Sequence, residues 1–190
     1  MNDSEVVAPS DQQVMYLGIS GVLHPSFSFY RYVHGREAAE DGHREYQSVP
    51  ALHDALQGWP AVALMLTSTQ PWAHGLPAVL EKLGPLAQRV VGFTFHDLTT
   101  RVPHRRNGRP MDEMDYWRLH KSQIVRRHVK WSKPRAWVAL DDEDILWSED
   151  EREHLVLTRG TLGLHDPVAM DRLLWALEHN FGPPSRRPPG

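Results

Sequence analysis

The chain has 190 residues, 41% of them hydrophobic, and a formal net charge of −3. That suits one domain with a real core and gives no global pull toward a polyanion. Cysteine is absent, which excludes disulfides, thiolate metal sites and cysteine nucleophiles. The opening MNDSEVVAPSDQQ lacks the basic and apolar regions of a signal peptide, and no apolar run approaches the ~20 residues that span a bilayer. A soluble, cytoplasmic protein with no membrane partner is expected.

Residues 1–12 are polar and 182–190 (GPPSRRPPG) are proline-rich, so both are expected as flexible tails around a domain at 13–181. Val14–Leu17 reads as a first strand and leads into Gly18. Segment 26–48, rich in Phe, Tyr and charge, is expected to fold over the strand ends as a small cap. A helix is predicted over about 49–57, then a strand over Ala61–Leu66 that runs into Thr67-Ser68-Thr69. A helix at about 75–83 precedes the strand Val90–Phe93, which gives way to a polar, basic loop at 95–111. One helix is predicted over 112–130. The strand Ala136–Leu140 runs into Asp141-Asp142, and His154–Leu157 into Thr158. The last helix, about 167–180, starts with Asp166 as N-cap and Pro167 at its first position, and Met170, Leu173, Leu174 and Leu177 would face the sheet. Continuous apolar runs suit strands covered on both faces. Their alternation with helices predicts an α/β, doubly wound fold that binds ligands at the carboxyl ends of the strands.

Gly21-Val22-Leu23-His24-Pro25 after strand one, Thr67 after strand two, Lys121, and Trp137-Val138-Ala139-Leu140-Asp141-Asp142 stand in the order of four motifs. In this the chain resembles haloacid-dehalogenase (HAD) phosphatases over residues 13–180, and most of all small-cap bacterial HAD domains, some of them associated with RNA-repair proteins. The resemblance implies a HAD-like Rossmannoid of about five parallel strands, helices on both faces and a small cap. It also implies that Thr67 holds the transferred phosphoryl group, that Lys121 is the lysine of the third motif, and that Asp141 and Asp142 bind Mg²⁺.

The chemistry departs at the first motif. Where the family has D-x-D-G, this chain reads Gly18-Ile19-Ser20-Gly21. The family's first Asp attacks phosphorus and its second protonates the leaving group. Glycine has no nucleophile, and a serine hydroxyl is far too weak an acid to replace a carboxylic acid. With the first Asp gone, Asp141 and Asp142 would hold Mg²⁺ only weakly. Gly18 is also open to a simpler reading, a sharp turn or a close approach by another group.

Lys121 falls in a stripe with Met114, Trp117, Ile124 and His128 on the predicted helix. Its ammonium either snorkels outward or is directed at Asp141 or at a phosphate-sized anion. Charge is segregated, with bases from Arg101 to Arg135 and acids from Asp141 to Glu153. Arg105, Arg106 and Arg109 could overhang the pocket and bind phosphates, or the basic and acidic runs could be solvated or paired with each other. The twelve histidines show no zinc-ligand spacing.

Three functions follow. The leading one is a degenerate HAD domain, a pseudophosphatase that binds a partner protein or a phosphorylated ligand through Ser20, Gly21, Thr67, Ser68, Lys121, Arg105 and Arg106. The second is an active phosphohydrolase acting on a nucleotide or nucleic-acid end through metal-bound water at Asp141 and Asp142. The third is a protein–protein module built on the seven tryptophans and the cap.

Overall fold

A computed structural model describes residues 10–26, 44–104 and 108–185. The elements run β1 (Ser10–Leu17), α1 (Val49–Ala55), β2 (Val62–Leu66), α2 (Gln70–His74), α3 (Leu76–Leu83), β3 (Val90–Phe93), α4 (Thr94–Thr100), α5 (Glu113–Trp117), α6 (Lys121–Ser132), β4 (Pro134–Asp141), β5 (Leu155–Leu157) and α7 (Pro167–Phe181). The five strands form one sheet in the order β3-β2-β1-β4-β5, and every pairing is parallel. Strand β1 begins at Ser10, within the stretch expected as a tail. Most of the expected cap, 27–43, lies outside the described residues.

The central strands are buried on both faces, as their unbroken apolar runs require. On one face Met15, Leu17, Leu64, Leu66, Val138 and Leu140 join the core formed with α1, α3 and α7. The other face places Val14, Tyr16, Met65 and Ala139 against Val125 of α6 and Trp147. Helix α7 starts as its sequence demands, with the Asp166 carboxylate accepting from Val168 N and Pro167 in the first turn. It buries Ala169, Leu173, Ala176 and Leu177. Leu174 belongs to the expected stripe but is exposed, because it sits ~100° around the helix from Leu173. Among the described residues no helix is long and apolar enough to cross a membrane.

The connection after β3 and the region before β4 both differ from expectation. The segment after β3 is helix α4, not a polar loop, and it buries Thr94, Phe95, Asp97 and Leu98. Tertiary burial here overrides the poor helix propensity of the β-branched run. The helix expected over 112–130 is two helices. His120 adopts extended backbone as N-cap of α6, and its N–H is taken by the Gln123 side chain. The stripe therefore dissolves: Met114 and Trp117 are exposed, while Ile124 and His128 are buried.

Candidate functional site

Sheet register assembles the site. Leu17 of β1 pairs with Leu66 of β2 and with Leu140 of β4, so the next residues, Gly18, Thr67 and Asp141, emerge side by side at the carboxyl edge. Thr67 N donates to Leu17 O at 2.9 Å and Gly18 N to Leu140 O at 2.8 Å. Thr158, at the end of β5, ties the first-motif loop down by donating its hydroxyl to Gly21 O at 2.7 Å. The result is a pocket of about 190 Å³ lined by Gly18, Ser20, Ser68, Lys121, Asp141 and Asp142 among others.

Asp141 lies at the centre and is only 3% exposed. Its Oδ2 accepts the Thr67 hydroxyl at 3.3 Å and its Oδ1 the Glu143 backbone N–H at 3.3 Å. Burial pushes its carboxyl pKa up, opposed in part by the Lys121 ammonium. Lys121 does not sit in a helical stripe. It is the first residue of α6, and its Nζ donates to Thr67 O at 2.8 Å. Glu143 fixes that helix start: one of its oxygens accepts from Lys121 N at 3.0 Å and lies 3.1 Å from His120 Nδ1.

Gly18 has room for no side chain as the site stands. A Cβ there would lie 2.7 Å from Asp141 Oδ2 and 3.1 Å from Val22 Cγ2. The buried carboxylate fills the space in which the family's nucleophile would begin, so of the two simpler readings of this glycine, close approach holds. Gly21 is constrained more severely, with φ +76 and the Asp142 carboxylate 2.0 Å from where a Cβ would stand.

Asp142 exposes its outer edge, yet its carboxyl rests over Gly21 and against Gly160. Loss of solvation there, the neighbouring Asp141 charge and a hydrogen bond between the two carboxyls raise its pKa from 3.8 to about 6. Burial raises both neighbouring carboxyls above the ordinary carboxylate range, and the charge of each makes ionisation of the other less favourable.

These residues do not fit a resident magnesium ion. Mg²⁺ seeks near-octahedral oxygen coordination on accessible carboxylates. Here the first-motif carboxylate is absent, Asp141 is buried with its Oδ2 accepting the Thr67 hydroxyl and its Oδ1 the Glu143 N–H, and only Asp142 keeps an accessible edge. Among the described residues no group of three or more His, Asp or Glu side chains is placed to hold a metal.

The other expected site residues divide. Ser20 and Ser68 line the pocket, while the Thr67 hydroxyl is buried on Asp141. Gln70, which the sequence reading passed over, organises the rim: its Nε2 donates to Ser20 Oγ at 3.2 Å and its Oε1 accepts the Tyr46 hydroxyl at 2.6 Å. The polar run Thr67-Ser68-Thr69 simply continues one residue further into α2. Arg105 and Arg106 lie outside the described residues, and Arg109 is exposed. The basic and acidic runs do meet, through Arg126 Nε on Glu151 Oε1 at 2.7 Å. That pair holds Glu151 down at about 2.

The family model for the HAD domain in Swiss Army Knife RNA repair proteins matches residues 14–169. No curated protein and no solved structure matches the chain.

Proposed function

This chain belongs to the family of HAD domains in RNA repair proteins, and from that premise we propose that it is a catalytically degenerate member, which holds a phosphorylated ligand at the strand-end pocket without hydrolysing it through a phospho-aspartate. One observation carries the reading: at Gly18 the backbone runs where a nucleophile would be presented, but the Asp141 carboxylate fills the space for its side chain. Covalent catalysis needs a nucleophile within reach of phosphorus. Here the nearest carboxylate is buried and hydrogen-bonded, and burial pushes its pKa up.

Binding is better supported than turnover. Ser20 and Ser68 offer hydroxyls to the pocket, and Lys121 supplies a cation at its wall. The Lys121 ammonium offsets part of the negative charge of Asp141 and Asp142, which lessens the repulsion a phosphate would meet. A phosphorylated nucleic-acid end is the first ligand to test, given the family's setting in RNA repair.

The test is hydrolysis of phosphomonoesters, with and without Mg²⁺, against buffer. The proposal expects background rates. A second reading, hydrolysis with Asp142 as general acid, draws on that residue's pKa of about 6, which is near a useful working value. Robust turnover that disappears in Asp142→Asn would establish it and displace the first.

A further inference from the structure

Beside the pocket the fold gathers an aromatic cluster that the phosphate-binding reading does not use. Trp72 lies on α2, two residues past the pocket-lining Gln70 and thus within a ~5.4 Å helical turn of it. Trp117 closes α5, four residues before Lys121. The two indoles meet edge to face at 5.5 Å, and both pack on Phe95, at 5.6 Å and 6.1 Å. Tyr116 backs the group, 4.9 Å from Phe95. Its hydroxyl lies 3.1 Å from Thr94 Oγ1, which donates to Leu66 O, the residue before Thr67. The cluster is anchored to the same sheet edge as the pocket.

What sets the cluster apart is that its outer members are left open. Phe95 and Tyr116 are 7% and 1% exposed, whereas Trp72 is 48% and Trp117 43% exposed. Indole rings of this size ordinarily bury most of their surface. The Trp117 Nε1 donates to Glu113 Oε1 at 3.3 Å, which orients the ring from its edge, and 43% of the residue stays open to solvent. Rigid indoles on a packed aromatic base lose little conformational entropy when a flat ring settles on them.

We propose that Trp72 and Trp117 form a base-stacking subsite, and that the ligand of this domain is a phosphorylated nucleotide, free or at the end of a single strand, with its phosphate in the Lys121–Ser68 pocket and its base on the indoles. The inference rests on the phosphate-binding reading for the pocket and adds the chemistry that selects the ligand. Stacking accepts any base, because every base has a π face, so the subsite distinguishes nucleotides from other phosphate esters and not one base from another. Charge has little part in it: Arg118 is flanked by Asp112, Glu113 and Asp115. The platform's contribution to affinity therefore varies little with salt, while the phosphate's contribution falls as salt rises.

The experiment titrates the full chain with four probes followed by calorimetry: ribose 5-phosphate, a mononucleoside monophosphate, and a short oligoribonucleotide with and without a terminal phosphate. Each is repeated with Trp72→Ala and Trp117→Ala, whose folding is checked by thermal melting, and with Trp72→Phe, which retains a stacking face. The expected result is nucleotide binding weakened roughly 5- to 150-fold in either Ala variant, the equivalent of about 1–3 kcal/mol per stacked base. Trp72→Phe should restore most of it, and ribose 5-phosphate should bind equally to all forms. A mononucleotide that binds as tightly as the oligonucleotide assigns the site to free nucleotides; a tighter oligonucleotide assigns it to strand ends. Equal affinity for ribose 5-phosphate and nucleotide, unchanged in the Trp variants, overturns the stacking subsite and leaves the phosphate pocket standing. Trp-dependent binding of the oligonucleotide regardless of its terminal phosphate keeps the platform and removes the pocket. No binding by any probe, with self-association lost in Trp117→Ala, overturns both in favour of a protein interface.

Discussion

Two glycines and two aspartates decide what this site can do. Gly18→Ala would place a methyl group 2.7 Å from Asp141 Oδ2, forcing that carboxylate off the Thr67 hydroxyl in a buried setting. The loss should be about 1–3 kcal/mol, the usual penalty for an unsatisfied buried polar group. Gly21→Ala should cost more, since it combines a left-handed backbone with a clash against three atoms of Asp142. Chemical denaturation of the two variants checks the order, and Gly18→Ala less stable than Gly21→Ala would contradict the geometry. Asp142 gives a signed pH effect. Its folded pKa of about 6 lies above its ordinary 3.8, so the folded state binds the extra proton and stability falls as pH rises through that window. Asp142→Asn removes the cost. It should raise the melting temperature at pH 7.5 by about 2–4 °C, taking ~1 kcal/mol after allowance for solvent screening at its exposed edge. At pH 4 and below, the variant and the wild type should melt together. The sequence already showed that Gly18 and Ser20 remove the motif's acids. It could not show that Asp141 occupies the vacated space, because that depends on the rotamer of a residue 123 positions away in sequence.

Among the elements, the strands were the most legible. Their apolar runs are long and unbroken, and the polar residues that follow them mark the carboxyl edge where the pocket forms. Helix α4 was hidden because Thr94-Phe95-His96-Asp97-Leu98-Thr99-Thr100 has no strong helical preference, and only contacts with Tyr116, Met111 and Ile124 make it a helix. The break before α6 was hidden for a related reason. Part of the cap is local, the Gln123 side chain on His120 N, but His120 is an unusual N-cap residue and the other partner, Glu143 on Lys121 N, comes from a distant segment. Helix α6 also carries a polar network under the sheet. His128 Nε2 lies 3.1 Å from Asp97 Oδ2 and its Nδ1 2.8 Å from the Tyr16 hydroxyl, all three residues at most 6% exposed. Replacing His128 by Ala removes one partner each from Asp97, which keeps His96 and Arg101, and from Tyr16, which keeps Ser132, and should destabilise the fold by roughly 2–4 kcal/mol through lost hydrogen bonds and a buried void. Urea denaturation measures it, and a loss below ~1 kcal/mol would mean that water takes over the histidine's contacts.

At the scale of the whole molecule, the sheet edge presents a pair of carboxyls with raised pKa, a lysine and two serines, with an aromatic cluster beside them. Ligand binding there should stabilise the domain by mass action, about 2.7 kcal/mol at a hundredfold excess over Kd. It should do so without consuming the ligand. The most direct measurement follows a terminally phosphorylated oligoribonucleotide in one sample, recording its binding to the protein and the release of inorganic phosphate together, in millimolar Mg²⁺. Saturable binding with phosphate release no faster than in buffer is the predicted result. Release at an enzymatic rate, abolished by Asp141→Asn or Asp142→Asn, would contradict it.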